Sequence, residues 1–122
     1  MDAGTALVLV KLLHTVVWAL LVACIAAIPA AALAGRLRLA AVLSAVMVLE
    51  TAVLAANAMR CPITDLAMRY TADRGDAFDI YLPPWLARNN KRVFGTLWIA
   101  GEVVLVGCWY ARRRRAPRPV LP

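Results

Sequence analysis

Lys11, His14, Glu50 and Glu102 are ionisable residues set inside long apolar runs, with Asn57 as a neutral companion. Cys61 stands where one of those runs stops. Ionisable groups are expensive in hydrocarbon, so each marks a functional site by default. Lys11, His14 and Trp18 follow i, i+3, i+7 spacing and so share one face of a helix. Glu50 and Asn57, seven apart, share a face of the next. Three chemistries suit such a set. The groups can pair inside a bundle, Lys11 or His14 with Glu50 and Glu102 with a neighbour. They can form a proton- or ion-handling cluster, or they can face a partner subunit, a quinone or a lipid headgroup.

Cys61 invites a nucleophile reading, and a nucleophile needs a base within reach. The one histidine lies far upstream, in the first apolar run, so the spacing favours a structural role for Cys61-Pro62 as a helix end. Three cysteines without a CxxC do not make a disulfide framework, and a single histidine does not make a His-rich zinc site or a bis-histidine haem. Asp73, Asp76 and Asp79 lack the alternation and glycine of a calcium loop. Arg74-Gly75-Asp76 spells an adhesion tripeptide, but three residues are a coincidence-level match. No catalytic residue, metal site or cofactor is implied.

The elements that must position these residues are set by composition. The chain has 122 residues, 63% of them hydrophobic, and a mean hydropathy of +0.72. A soluble domain is about 45–50% apolar, and a chain this short cannot hide the excess in one core. The excess is blocked into runs at about 6–33, 39–58 and 93–111. A bilayer core of about 30 Å needs about 20 helical residues. The expected fold is therefore all-α, one membrane domain of three transmembrane helices. An A-x-A match at Ala32-Leu33-Ala34 raises a cleaved signal peptide instead, but the apolar run outlasts the usual h-region of about 7–15 residues, which favours a retained helix.

The net charge of +7 is placed beside these runs: Arg36 and Arg38 in the first connection, then Arg112, Arg113, Arg114, Arg115 and Arg118 in the tail 112–122. Such flanking charge sets orientation and contacts anionic headgroups. Without an aromatic-interleaved platform it does not indicate nucleic acid. The C-terminus is expected in the cytoplasm of a bacterial inner membrane, with Trp109 and Tyr110 in the aromatic belt. The N-terminus and segment 59–92 fall on the periplasmic side. There, short amphipathic interfacial helices are expected: one from "TDLAMRY" capped by Thr64, one from "DAFDIYL" capped by Asp76 with Asp79 at N3, and one opened by Pro84. Phe78, Tyr81, Leu82, Trp85 and Leu86 supply their apolar side. Small-xxx-small ladders at Ala19/Ala23/Ala27, Ala41/Ala45 and Ala52/Ala56 suggest close helix packing, and hence a homo-oligomer or a larger membrane complex.

Around "CPITDLAMRY…FDIYLPPWL" the chain resembles small bacterial membrane proteins of domain-of-unknown-function family 2784. The resemblance rests on His14, Cys61, Pro62, Thr64, Leu66, Tyr81, Leu82 and Pro83, with Ile63 in place of leucine and Ala67 in place of glutamate. It covers about two thirds of the chain and implies architecture, a small polytopic helical protein of the inner membrane, without a reaction. The functional expectation is a structural or accessory component of a membrane complex. The alternative is a proton, ion or small-molecule transport protein using Glu50, Glu102 and His14. An impermeant thiol reagent applied to intact spheroplasts is expected to modify Cys61. Labelling only after lysis would reverse the orientation.

Overall fold

The computed structural model describes residues 1–115; the end of the basic tail, including Arg118, lies outside the described residues. Four helices follow one another: α1 (Ala3–Leu33), α2 (Leu37–Ala56), α3 (Pro62–Met68) and α4 (Pro84–Arg115). No strand occurs among the described residues. Three of the helices, α1, α2 and α4, are long and apolar enough to cross a membrane, which marks the chain as a membrane protein.

Each boundary has a local cause. Asp2 caps α1 by accepting the Thr5 amide at 2.7 Å. Gly35, at φ 80°, turns the chain between α1 and α2, a conformation open to glycine at little cost. The second helix stops at Ala56, before Pro62. Ala58 (φ 56°) and Met59 (φ 63°) are both left-handed, and Pro62 then sits in the first turn of α3 with Cys61 as its N-cap. Pro62 thus begins a helix rather than ending one, and Cys61, not Thr64, is the cap. Pro84 opens a helix as expected, and that helix runs without a break into the third span. "DAFDIYL" forms turns instead of a helix, because Asp79 is drawn away to other partners, described below.

Helix α1 is the central post. It packs broadly on α2 and α4 and more lightly on α3, whereas α2 and α4 touch each other far less than either touches α1. Two small cores lie along it. Ile25, Ile28 and Met47 form one, with Phe94 and Trp98 against it; Ala31, Ala32 and Ala40 form the other, with Val104 and Leu105. Between lipid-facing helices there is no hydrophobic drive, so close approach and hydrogen bonds must hold the bundle. Pro29 leaves the Ile25 carbonyl without its helical donor. Gly101 lets α4 settle against that step: a Cβ there would lie 3.2 Å from Pro29 Cδ and 3.8 Å from the Ile25 oxygen. The alanine ladders are not used in this packing. Ala19, Ala23, Ala41, Ala45, Ala52 and Ala56 are exposed, and Ala27 alone of the ladder residues is half-buried.

The two ends differ. At one, Arg36, Arg38 and Arg112 line a common depression, and Arg113 and Arg114 lie 5.2 and 5.6 Å from the Trp109 and Tyr110 rings. At the other, residues 57–83 fold over α1 as a cap. Gly101→Val should lower the unfolding free energy in detergent by about 1–3 kcal/mol through overpacking on Pro29. Gly107→Val, where a Cβ meets nothing within 4 Å, should be close to neutral. Equal thermal midpoints for the two variants would contradict this packing.

Candidate functional site

The cap holds its polar groups against α1. His14 Nδ1 lies 2.9 Å from the Asp79 backbone oxygen and 3.5 Å from the Asp79 carboxylate. A carbonyl can only accept, so Nδ1 carries the ring proton and Nε2 is the basic nitrogen of the neutral imidazole. Asp79 is 8% exposed, and the Thr64 hydroxyl donates to its carboxylate. A buried carboxylate held by a hydroxyl and an imidazole avoids most of the penalty an isolated charge would incur. On the next residue of α1, Thr15 Oγ1 accepts the Tyr81 amide at 3.0 Å, and one turn earlier the Lys11 ammonium stands 4.4 Å from the Tyr81 ring centroid.

The Cys61 thiol lines the same chamber as the His14 ring. Burial pushes this thiol up. Its hydrogen-bonding interaction with His14, the Ile63 amide and the imidazole's charge act against burial and outweigh it, so Cys61 ionises below the ordinary thiol range. The negative charge of Glu50 works in the opposite direction. His14, in the first span, and Cys61 thus line one chamber. The expectation that sequence distance separates them is corrected: α1 and the cap meet in space.

These groups border a chamber of about 270 Å³, also lined by Glu50, Trp18, Asn90 and Lys91. Trp18 Nε1 donates to Asn90 Oδ1 at 2.7 Å, and the Trp18 ring stacks edge-on with Phe94 at 5.6 Å. Below the chamber, an apolar groove of about 290 Å³ runs between α2 and α4 over α1, with Ile25, Met47, Phe94 and Gly95 in its walls. Trp18, Leu21, Glu50, Leu54, Asn90 and Lys91 line both spaces.

The five polar residues expected as one intramembrane cluster are divided among four places. Lys11 and His14 engage the cap, not Glu50. Glu50 lines the junction of chamber and groove, with no hydrogen bond or ion pair among the described residues. Glu102 Oε1 accepts from Ser44 Oγ at 2.6 Å and Trp98 Nε1 at 2.7 Å, tying α2 to α4 lower in the bundle. Asn57 ends α2, its amide donating to the Arg60 oxygen and to Asp65 Oδ2 at 2.8 and 2.7 Å. The interfacial set is divided too. Cys61 and Thr64 face the chamber, while the Pro83 oxygen accepts the Ala87 amide at the start of α4. Pro62, Tyr81 and Trp85 are exposed. Asp73 closes a local turn on Gly75, and Asp76 pairs with Arg88 at 3.5 Å, leaving Asp79 alone of the three aspartates on His14. Asp79 and Asn90 are the residues that sequence reasoning missed.

Two consecutive left-handed residues precede Cys61, and each costs roughly 1–2 kcal/mol in a non-glycine residue. Met59→Gly should therefore raise stability by up to about 1 kcal/mol. An unchanged or lower thermal midpoint would show that this turn carries no strain. Comparison with protein-family models, with curated proteins and with solved structures finds no match to this chain.

Proposed function

We propose that the chain is a small polytopic protein of a bacterial plasma membrane, an accessory component that holds a membrane amphiphile. The tail lies in the groove between α2 and α4, and the polar head rises into the chamber under the cap. The basic end is cytoplasmic and the cap faces the opposite side, because arginines flank the spans most densely at the C-terminal end.

The observation that carries this reading is that an apolar groove and a polar chamber lie side by side and share six wall residues. A soluble ligand would need only the chamber. The groove opens between two helices that touch each other far less than either touches α1, and both are apolar enough to lie in lipid. Moving a tail from lipid into this groove gains little, since both are apolar. Selectivity then comes from the head, which meets Lys91, Glu50 and the Asn90 amide. Exposed alanine ladders leave the outer faces free for lipid or for helices of other subunits.

Native mass spectrometry of the full chain released from membranes in mild detergent is expected to retain one amphiphile. Gly95 lines the groove, and a Cβ there meets nothing within 4 Å, so Gly95→Phe fills the space without a backbone clash. That variant should fold and lose the adduct. A wild type that carries no amphiphile, or a variant that retains it equally, overturns the reading.

A second reading, transport of protons, ions or small molecules through Glu50, His14 and Glu102, is favoured by Glu50, which lines both spaces and has no hydrogen-bond or ion-pair partner among the described residues. Proteoliposomes separate the two. Amphiphile binding predicts no proton flux above empty vesicles in the wild type or in Glu50→Gln. A wild-type flux abolished by Glu50→Gln makes the chain a transporter.

A further inference from the structure

We infer that Cys61 is an acyl-accepting nucleophile with His14 as its base, that Asp79 is the positioning residue for that base, and that the acyl donor is an ester or thioester of a membrane amphiphile. The substrate class rests on the amphiphile reading above; the nucleophile does not.

The geometry is that of a thiol, an imidazole and an orienting carboxylate drawn from three separate segments. His14 comes from α1, Cys61 from the turn before α3, and Asp79 from the turns after α3, 65 residues from the histidine. A structural staple between α1 and the cap would be served by the His14–Asp79 contact alone, or by the Thr15–Tyr81 bond beside it. It would not require a thiol in the wall of the same chamber as the imidazole and the carboxylate. The Asp79 carbonyl and carboxylate hold Nδ1 as the donor, which leaves Nε2 as the nitrogen able to take the Cys61 proton. Asn90 supplies a further part. With its Oδ1 occupied by Trp18, the amide is fixed so that its Nδ2 remains a donor in the wall of the chamber, suited to the oxygen of a tetrahedral intermediate.

The step balances without a redox partner. The Cys61 S–H proton passes to His14, and the sulfur bonds to the acyl carbon. The bond from that carbon to the donor's oxygen or sulfur breaks. The leaving alcohol or thiol takes the proton from His14, and Cys61 is left as a thioester that water or another nucleophile can discharge.

The test uses the purified full chain in nanodiscs with two probes, 4-nitrophenyl acetate and 4-nitrophenyl decanoate, read by intact mass and release by hydroxylamine. One acyl group is expected on Cys61, with Cys24 and Cys108 unmodified and no adduct in Cys61→Ser. His14→Gln should slow acylation by about 100-fold or more, the lower range for a positioned base. Gly95→Phe should slow decanoylation and spare acetylation. Acylation that is equally fast in Gly95→Phe with both probes removes the groove and the amphiphile while leaving the nucleophile in place. Acylation of Cys61 no faster than that of Cys24 or Cys108 overturns the inference.

Should His14→Gln fail to fold, the pH dependence of iodoacetamide alkylation at Cys61 in the wild type decides. The charged groups lining the chamber with it are His14 from α1, Glu50 from α2, Asp76 and Asp79 from the cap, and Arg88 and Lys91 from α4, with Arg60 next in the chain. The alkylation midpoint should fall below the ordinary thiol value of about 8.5, and rise in Asp79→Asn, a shift that a merely structural aspartate would not produce. A wild-type midpoint at or above that value overturns the inference.

Discussion

Helix α1 has 31 residues and α2 has 20, which makes them about 46 Å and 30 Å long. Only the second length matches a bilayer core of about 30 Å. The two helices start level at the Gly35 turn, so the unmatched part of α1 projects beyond the end of α2. Counting equally from that turn, Ala56 at the end of α2 lies level with His14. The projecting segment is a post on which the cap folds, and His14 sits at its foot, where hydrocarbon gives way to the polar cap. Everything proposed for the site depends on that difference in length.

Lipid as a solvent explains how the polar groups are used. Deep in the bundle, Glu102 is consumed by Ser44 and the Trp98 indole, a link that fastens α2 to α4 where direct packing between them is sparse. The Pro29–Gly101 step fastens α4 to α1 by shape instead. At the capped end the hydrogen bonds are longer in sequence range and mixed in kind. Backbone oxygen, carboxylate, hydroxyl, imidazole and thiol converge within one chamber, and this is the only place among the described residues where a thiol, a histidine and a buried carboxylate meet.

The spans were legible because lipid imposes a minimum apolar length that nothing else in a short chain requires. The apolar runs at 6–33 and 39–58 match α1 and α2 to within three residues at each boundary. The start of α4 was legible only in part. Pro84 does open a helix, but the polar stretch "ARNNKR" hides that this helix and the third span are one. The cap was misread where a local rule competed with a distant partner. Asp76 and Asp79 have the spacing of a capping box, yet Asp79 faces His14 and Thr64, and the box does not form. Cys61 and His14 were judged too far apart because 47 residues of apolar helix and turn separate them, a distance that the return of α2 alongside α1 removes. A periodicity argument places Lys11, His14 and Trp18 on one face, as the structure has them, but does not say that the cap covers it.

Because the chain contains a single histidine, its imidazole can be observed alone. Nitrogen-15 NMR of the ring, recorded in nanodiscs above the pH at which it titrates, tests the central geometry most directly. The account predicts the tautomer with the proton on Nδ1, and a change in the Nε2 resonance when Cys61 is replaced by alanine. A proton on Nε2, or a spectrum indifferent to both Cys61 and Asp79, would contradict it.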